Sequence, residues 1–162
     1  MTWEQVGERV RHIAAGLISL GIIPEDRVVV ASSTRYEWII VDLAVMCAGA
    51  VTTTVYPTTV GPDVAYIIAN SGSRIVVAEA QGQLNKLLEH RAELLEVRKQ
   101  VIIDGNGDGD WVMTLNELEQ LGKQLLADSP DAVEERVAHI DRTGSPVLST
   151  PPAPPVVQRV CG

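Results

Sequence analysis

The stretch Asp42–Ser71, D-L-A-V-M-C-A-G-A-V-T-T-T-V-Y-P-T-T-V-G-P-D-V-A-Y-I-I-A-N-S, decides how the rest of the chain is interpreted. It begins in an apolar helix, and a β-branched strand follows over Ala50–Tyr56. The chain turns at Pro57, and a second helix is predicted over Gly61–Ser71. A helix, a strand and a helix in this order are typical of one βα step in a parallel sheet.

The same alternation continues on both sides of this stretch. Thr2 and Gln5 have the spacing of a capping box, and apolar residues then recur at helical spacing as far as Gly21. Further strands are predicted at Arg27–Ser32, Arg74–Glu79 and Gln100–Ile103, and further helices at Arg35–Ala48, Gln83–Val97 and Leu115–Leu126. This order predicts an α/β fold with a doubly wound, mostly parallel sheet and helices on both faces. We expect Val28–Ala31, Val51–Val55 and Ile75–Ala78 to be neighbouring, buried, parallel strands.

Composition limits the classes of function. The chain has 162 residues and a formal net charge of −8, so nucleic acid is not expected as a partner. No apolar run is long enough to span a bilayer, and no secretory signal follows Met1. We therefore expect a cytoplasmic protein, with peripheral membrane contact left open. Cys47 lies in an apolar helix and is interpreted as a small buried side chain.

Two patterns resemble known sites but lack the residues that those sites need. The run Asp104–Gly109 is similar to the front of an EF-hand calcium loop, but Leu115 stands where that loop needs a bidentate glutamate. Its glycines lack the spacing of a dinucleotide fingerprint. The three histidines have no ligand spacing: His12, His90 and His139. We expect a polar turn at this run, no metal site and no catalytic residue in the chain.

Two groups of residues are candidates for a role in a site or in its support. Asp42 lies in an apolar helix and needs a partner if it is buried, and Arg35 lies two turns upstream on roughly the same face. We interpret Arg35 and Asp42 as a structural ion pair. Tyr56, Thr58 and Thr59 come just after a strand, where open α/β sheets bind ligands. They are candidate pocket-lining residues, and strand-end packing beside a turn is the alternative.

Several blocks carry a resemblance to a known family. The segments Ala48–Thr58, A-G-A-V-T-T-T-V-Y-P-T, and Ala65–Gly72, A-Y-I-I-A-N-S-G, resemble the adenylate-forming acyl-CoA synthetases, and the long-chain fatty acid members most of all. The resemblance runs from Thr2 to about Ile140, although the family has a further segment before T-W-E. It implies that residues 1–140 are part of the first subdomain of the N-terminal AMP-binding domain. It also implies ATP, Mg²⁺ and CoA as the cofactors of the intact protein and a fatty acid as its substrate.

The family's phosphate-binding loop, of the type Y-T-S-G-T-T-G-x-P-K-G-V, is missing where the resemblance places it. Residues 141–162 instead form a Pro-rich tail that we expect to be disordered. Read one base earlier, the codons of Thr150–Gly162 permit Y-T-S-G-T-T-G-R-P-K-G-V-R, which is that loop without a gap. We therefore expect a frame shift near Asp141 and an out-of-frame tail.

The sequence leaves three hypotheses about function. The first is a truncated fatty acid–CoA ligase that binds none of the family's cofactors and is inactive alone. The second is a non-catalytic module that complements a separate downstream ligase fragment. The third is a stand-alone α/β domain that binds a small ligand. Co-purification with a downstream product favours the second hypothesis, and saturable binding of an acyl group or nucleotide favours the third.

Overall fold

The computed structural model describes the backbone of residues 2–143 and the side chains of residues 2–140. Within this range the chain forms one sheet of five strands in the order β2-β1-β3-β4-β5, and every neighbouring pair is parallel. The strands are β1 (Arg27–Ala31), β2 (Val51–Val55), β3 (Ser73–Ala80), β4 (Lys99–Asp104) and β5 (Val112–Thr114). The α-helices are α1 (Trp3–Ser19), α2 (Tyr36–Cys47), α3 (Gly61–Ser71), α4 (Gln81–Glu89), α5 (Leu115–Asp128) and α6 (Ala132–Thr143). The predicted doubly wound α/β fold is confirmed.

The three central predicted strands are neighbours, as expected, but they are not equally buried. Val28 pairs in register with Thr52 of β2 on one side and with Ile75 of β3 on the other. The apolar residues of β1 and β3 are almost fully enclosed, whereas β2 is buried only at Val55. The prediction of a buried β2 was wrong because this strand is the sheet's edge, where β-branched residues fit a half-buried surface as well as a core.

The helices cover the two faces of the sheet unequally. One core joins α1, α2, α5 and α6 to the face of the sheet that carries Val28, Val30 and Val77. The other joins α3 and α4 to the face that carries Val29 and Val76. Alternate residues of each strand thus enter different cores, which is why the strands are continuous apolar runs.

Helices α1 and α5 make the closest contact between elements in the first core. Each begins with the capping box that its sequence predicts, at Thr2 and at Thr114. Their backbones meet at two glycines: a Cβ on Gly16 would lie 2.3 Å from the Leu118 carbonyl oxygen, and a Cβ on Gly122 would lie 1.8 Å from the His12 carbonyl oxygen. Only glycine therefore fits at the crossing point.

An ion pair crosses the same helix contact. Arg9 donates from Nε to Glu119 Oε1 over 3.1 Å, and a second bond from Nη2 reaches the same oxygen. Glu119 is largely buried, and its carboxylate raises the pKa of the Arg9 guanidinium. The pair compensates the buried charge of Glu119, which would be costly to leave without a partner.

Several predicted boundaries need correction. The helix expected over Gln83–Val97 ends at Glu89, and a short 3₁₀ turn follows before β4. Leu95, expected on its apolar face, is 88% exposed, while Leu94 is buried. The strand β5 and the helix α6 were not predicted. Since α6 extends to Thr143, its last turn lies inside the region predicted as tail, and the rest of that tail lies outside the described residues.

Candidate functional site

The order of the strands places a topological switch point between β1 and β3. The chain leaves β1 toward β2 on one side, then returns past β1 to β3 on the other. In open α/β sheets, ligands bind in the crevice outside the carboxyl ends of the strands at such a point. Here the residues at those ends are Ser32 and Ser33 after β1 and Glu79 at the end of β3.

The carboxylate of Glu79 fills this crevice. The backbone N–H of Ser33 donates to Glu79 Oε2 over 2.7 Å, and the Ser33 hydroxyl lies within 3.0 Å of both carboxylate oxygens. The Ser32 hydroxyl, which is buried, is 3.4 Å from Oε2. These bonds, the Ser33 N–H first, hold the pKa of Glu79 below its ordinary value. Glu79 thus occupies the place that an anionic ligand would take, on donors that an anion would use.

Arg35 joins Glu79 to the next strand along the sheet. Its guanidinium donates to Asp104 at the end of β4 and, from Nε, to Glu37 Oε2 over 2.6 Å. It also lies 3.7 Å from Glu79 Oε1. The pKa of Arg35 is raised, by the bond to Asp104 first and the bond to Glu37 second. We name Ser32, Ser33, Arg35, Glu37, Glu79 and Asp104 the switch-point cluster.

The predicted ion pair between Arg35 and Asp42 is wrong. Arg35 is the N-cap of α2 and has an extended backbone, with φ at −143°. Its side chain therefore points across the ends of the strands instead of along the helix. Asp42 is half-buried, and the ion pairs found in the described range give it no basic partner. No side chain caps α2, and the Ser33 hydroxyl binds Glu79 instead.

The charge of the switch-point cluster makes it a poor site for phosphate. Three carboxylates surround a single guanidinium, so a phosphate group would meet a net negative charge. The donors that would bind its oxygens already serve Glu79. Within the described range, no group of three or more acidic, histidine or cysteine side chains is arranged to hold a metal ion.

The predicted pocket-lining residues follow β2, at the edge of the sheet. Tyr56 is 78% exposed, Thr58 is exposed and Thr59 is half-buried. The loop that they form is tied to α4, since Lys86 Nζ donates to the carbonyls of Pro57 at 2.9 Å and Thr59 at 2.8 Å. The loop therefore has a defined structural support, and its role in lining a pocket stays a prediction.

The loop at Asp104–Gly109 is built as a turn, with its acidic side chain turned to the backbone. Asp108 Oδ1 accepts the N–H groups of Asp110 and Val112, both over 2.8 Å. These bonds lower the pKa of Asp108, the Val112 bond first. The carboxylate thus stabilises the start of β5, which agrees with the predicted polar turn.

Cys47 lines an open apolar groove of about 470 Å³. The groove lies between α1, α2 and α6, and its other walls include Val10, Val133 and Val137. Burial raises the pKa of the Cys47 thiol, so it stays protonated at neutral pH and is a poor nucleophile. Cys47 is half-buried, so the interpretation of this residue as a small buried side chain was wrong about its burial.

Sequence reasoning did not find the switch-point cluster. A signal was present: three predicted strands end in a polar residue, at Ser32, Glu79 and Asp104. In a parallel sheet the carboxyl ends lie along one edge, so polar residues at these positions are expected to meet. The order of the strands, which decides which ends are neighbours, could not be obtained from the local sequence.

Comparison with known proteins finds long-chain-fatty-acid–CoA ligases among the related sequences. The chain is 30% identical to the long-chain-fatty-acid–CoA ligase FadD15 of Mycobacterium bovis over 148 residues, which are 91% of this chain and 24% of that ligase. The FadD15 of Mycobacterium tuberculosis gives the same identity and shares. The chain therefore spans about a quarter of the length of these two relatives.

Solved structures share the fold. A fatty acyl CoA synthetase of Mycobacterium tuberculosis superposes with a TM-score of 0.63 at 24% identity, over 74% of this chain and 22% of that one. The anthranilate CoA ligase AuaEII superposes with a TM-score of 0.67 at 20% identity, over 74% and 22%. No helix in the described part of the chain is both long and apolar enough to cross a membrane. The family model for AMP-binding enzymes matches residues 1–148, and the chain belongs to this family.

Proposed function

We propose that the chain is an N-terminal part of a long-chain fatty acid–CoA ligase and has no ligase activity on its own. The observation that carries this proposal is the extent of the family match: residues 1–148 align with ligases of which they make up about a quarter. Family membership supports an ATP-dependent reaction in which a fatty carboxylate is adenylated and then transferred to CoA. Such a reaction needs ATP and CoA, so the proposed location is the cytoplasm.

Among the described residues, those at the switch point do not supply the groups that adenylation needs. Bound Mg²⁺ and ATP would provide the activated phosphate, and the protein has to offer N–H donors and a cation to the leaving pyrophosphate. At the switch point the donors are taken by Glu79, and carboxylates outnumber the single guanidinium of Arg35. We therefore derive no catalytic step from this cluster.

The proposal includes a break in the reading frame near Asp141. The family match ends at residue 148, and the phosphate loop hidden in the alternative frame begins at Thr150. A match that stops just before the expected loop supports a change of frame upstream of Thr150. The chain would then carry the ligase fold up to the first ATP-binding element and not include that element.

The test is ATP–pyrophosphate exchange with a long-chain fatty acid, using the purified 162-residue protein free of host ligases. We expect no exchange that depends on the fatty acid. A second protein, made from the gene with the frame corrected near Asp141 and continued through the downstream coding sequence, is expected to be active. Exchange by the short chain alone would overturn the proposal. An inactive frame-corrected protein would contradict a single frame break as the cause.

A second candidate function is complementation of a separate downstream ligase fragment. The observation that favours it is an exposed apolar stripe on α2, formed by Ile39, Leu43 and Met46, which are 47%, 38% and 48% exposed. Co-purification of a downstream product with this chain would support complementation. Saturable binding of an acyl group or nucleotide by the chain alone would instead support a stand-alone binding domain.

A further inference from the structure

The helix α2 carries apolar residues on its exposed side as well as on its buried side, and its charged residues are Glu37 and Asp42. Its sequence, Y-E-W-I-I-V-D-L-A-V-M-C, has Ile40, Val41, Ala44 and Val45 buried in the first core. Its opposite side carries the exposed stripe Ile39, Leu43 and Met46, at the spacing of one helix face. A helix that is apolar all round is normally enclosed by protein, and a surface helix normally shows water a polar face.

The neighbouring strand β2 has an open edge. In the described part of the chain it pairs only with β1, and its sequence V-T-T-T-V has no charge, no proline and no bulge against β1. Parallel strands are normally interior, and exposed edges are normally blunted by charges, prolines or short length. The other edge, β5, follows this rule because it is three residues long.

These two features are adjacent in the chain and in the fold. Helix α2 leads to β2 through a tight turn, in which Gly49 takes a positive φ of 80° and Val51 donates to the Asp26 carbonyl over 2.8 Å. We propose that the β2 edge and the stripe Ile39, Leu43 and Met46 form one docking surface for the downstream part of a ligase chain. That part adds a strand to β2 and packs an apolar face on α2. The inference rests on the proposed function.

The net charge of the chain and the length of its relatives favour a ligase remainder over a second copy of this chain as the occupant. The relatives are about four times as long, so most of their polypeptide is not represented here. Two copies would each bring a net charge of −8, and like charges oppose close association. A specific interface between two separate copies needs roughly 1,000 Å² of buried surface area. The proposed surface, with three partly exposed side chains and a five-residue strand edge, provides less than that. A remainder that continues the fold can add contacts elsewhere.

The experiment measures binding of the full 162-residue chain to a defined partner. The partner is the FadD15 ligase of Mycobacterium tuberculosis from which the segment that matches this chain has been deleted. Leu43→Glu places a charge on the stripe, and Thr54→Lys places one on the exposed part of β2. The matched controls are Leu88→Glu and Asn85→Lys, at two exposed positions of α4. Leu88 is 38% exposed, as Leu43 is, and lies on α4 on the other side of the sheet.

We expect Leu43→Glu and Thr54→Lys to weaken binding at least about tenfold and the two controls to change it less than about twofold, with all four variants retaining the melting temperature of the parent. Hydrogen exchange on the unmodified chain is expected to slow at Val51–Val55 when the partner is added. An equal loss of binding in the control variants, or protection from hydrogen exchange only outside Val51–Val55, would refute this docking surface but not complementation itself. No binding by the unmodified chain would overturn complementation together with this surface. Self-association abolished by Leu43→Glu would identify a second copy as the occupant and contradict the proposal.

Discussion

Replacement of Gly122 by alanine tests the helix contact that organises the larger core. The added methyl would lie 1.8 Å from the His12 carbonyl oxygen, and ordinary contact begins at 3.4 Å, so α1 and α5 have to separate by about 1.6 Å. Overpacking of this kind costs about 3 kcal/mol when backbone atoms obstruct the methyl. Alanine returns about 1 kcal/mol through its higher helix propensity. We therefore expect a net loss of about 2 kcal/mol and a drop in melting temperature of about 4–8 °C.

The assay is thermal and urea unfolding of the two proteins side by side, with Gly7→Ala as the matched control. Gly7 lies in α1, the helix that packs against α5, but it is exposed. No atom lies within 4 Å of the position that its Cβ would take. Only the propensity gain remains there, so Gly7→Ala is expected to raise stability by about 1 kcal/mol. Opposite signs for the same substitution support the close approach of the helices. A Gly122→Ala protein as stable as the parent would refute it.

Three further outcomes follow from the described contacts. Glu79→Gln is expected to lower stability at neutral pH by about 1 kcal/mol. Because bonds from Ser33 lower the folded-state pKa of Glu79, the difference in stability between the two proteins should be full above the ordinary carboxyl pKa and should vanish as pH falls through the lowered value. Urea unfolding at several pH values measures this difference, and a difference that does not vanish at low pH would contradict the expectation. Gln100→Met is expected to raise stability by about 1 kcal/mol, because Gln100 is 0% exposed and its amide has no hydrogen-bond partner in the described range; a lower urea midpoint would contradict this. Calcium at about 1 mM is expected to leave the melting temperature unchanged, because Asp108 is occupied by backbone N–H groups, and a saturable rise would show that the loop binds the ion.

The fold could be predicted because its signals are local. Capping boxes at Thr2 and Thr114 and the alternation of β-branched runs with amphipathic helices are visible over a few residues each. The failures arose where tertiary context decides. The helix expected over Gln83–Val97 includes Leu94, which is buried after a 3₁₀ turn, and Leu95, which faces water. The strand β5 is too short for a period-2 pattern to be recognised.

The candidate site was less accessible to sequence reasoning. Helical spacing gave Asp42 as the partner of Arg35, but spacing assumes that both residues belong to the helix. Arg35 is outside it by one residue, and an extended backbone there sends the side chain to Asp104, which is 69 residues away in the chain. A partner at that distance depends on the order of β1, β3 and β4 in the sheet. Order is a property of the whole fold, and no local pattern contains it.

The position of Glu79 supports the proposal that the chain has no ligase activity on its own. A doubly wound sheet concentrates its free N–H groups and strand ends at the switch point, and proteins that bind nucleotides leave this crevice open. In this chain the carboxylate of Glu79 lies in the crevice and accepts hydrogen bonds from the N–H and hydroxyl of Ser33. Arg35 forms an ion pair with Glu79 and connects it to the next strand. The arrangement stabilises the sheet without any ligand, while the apolar face of α2 remains uncovered. Under the proposed function, a unit of this kind supplies structure to a larger ligase, and the phosphate-binding groups are expected to come from the partner.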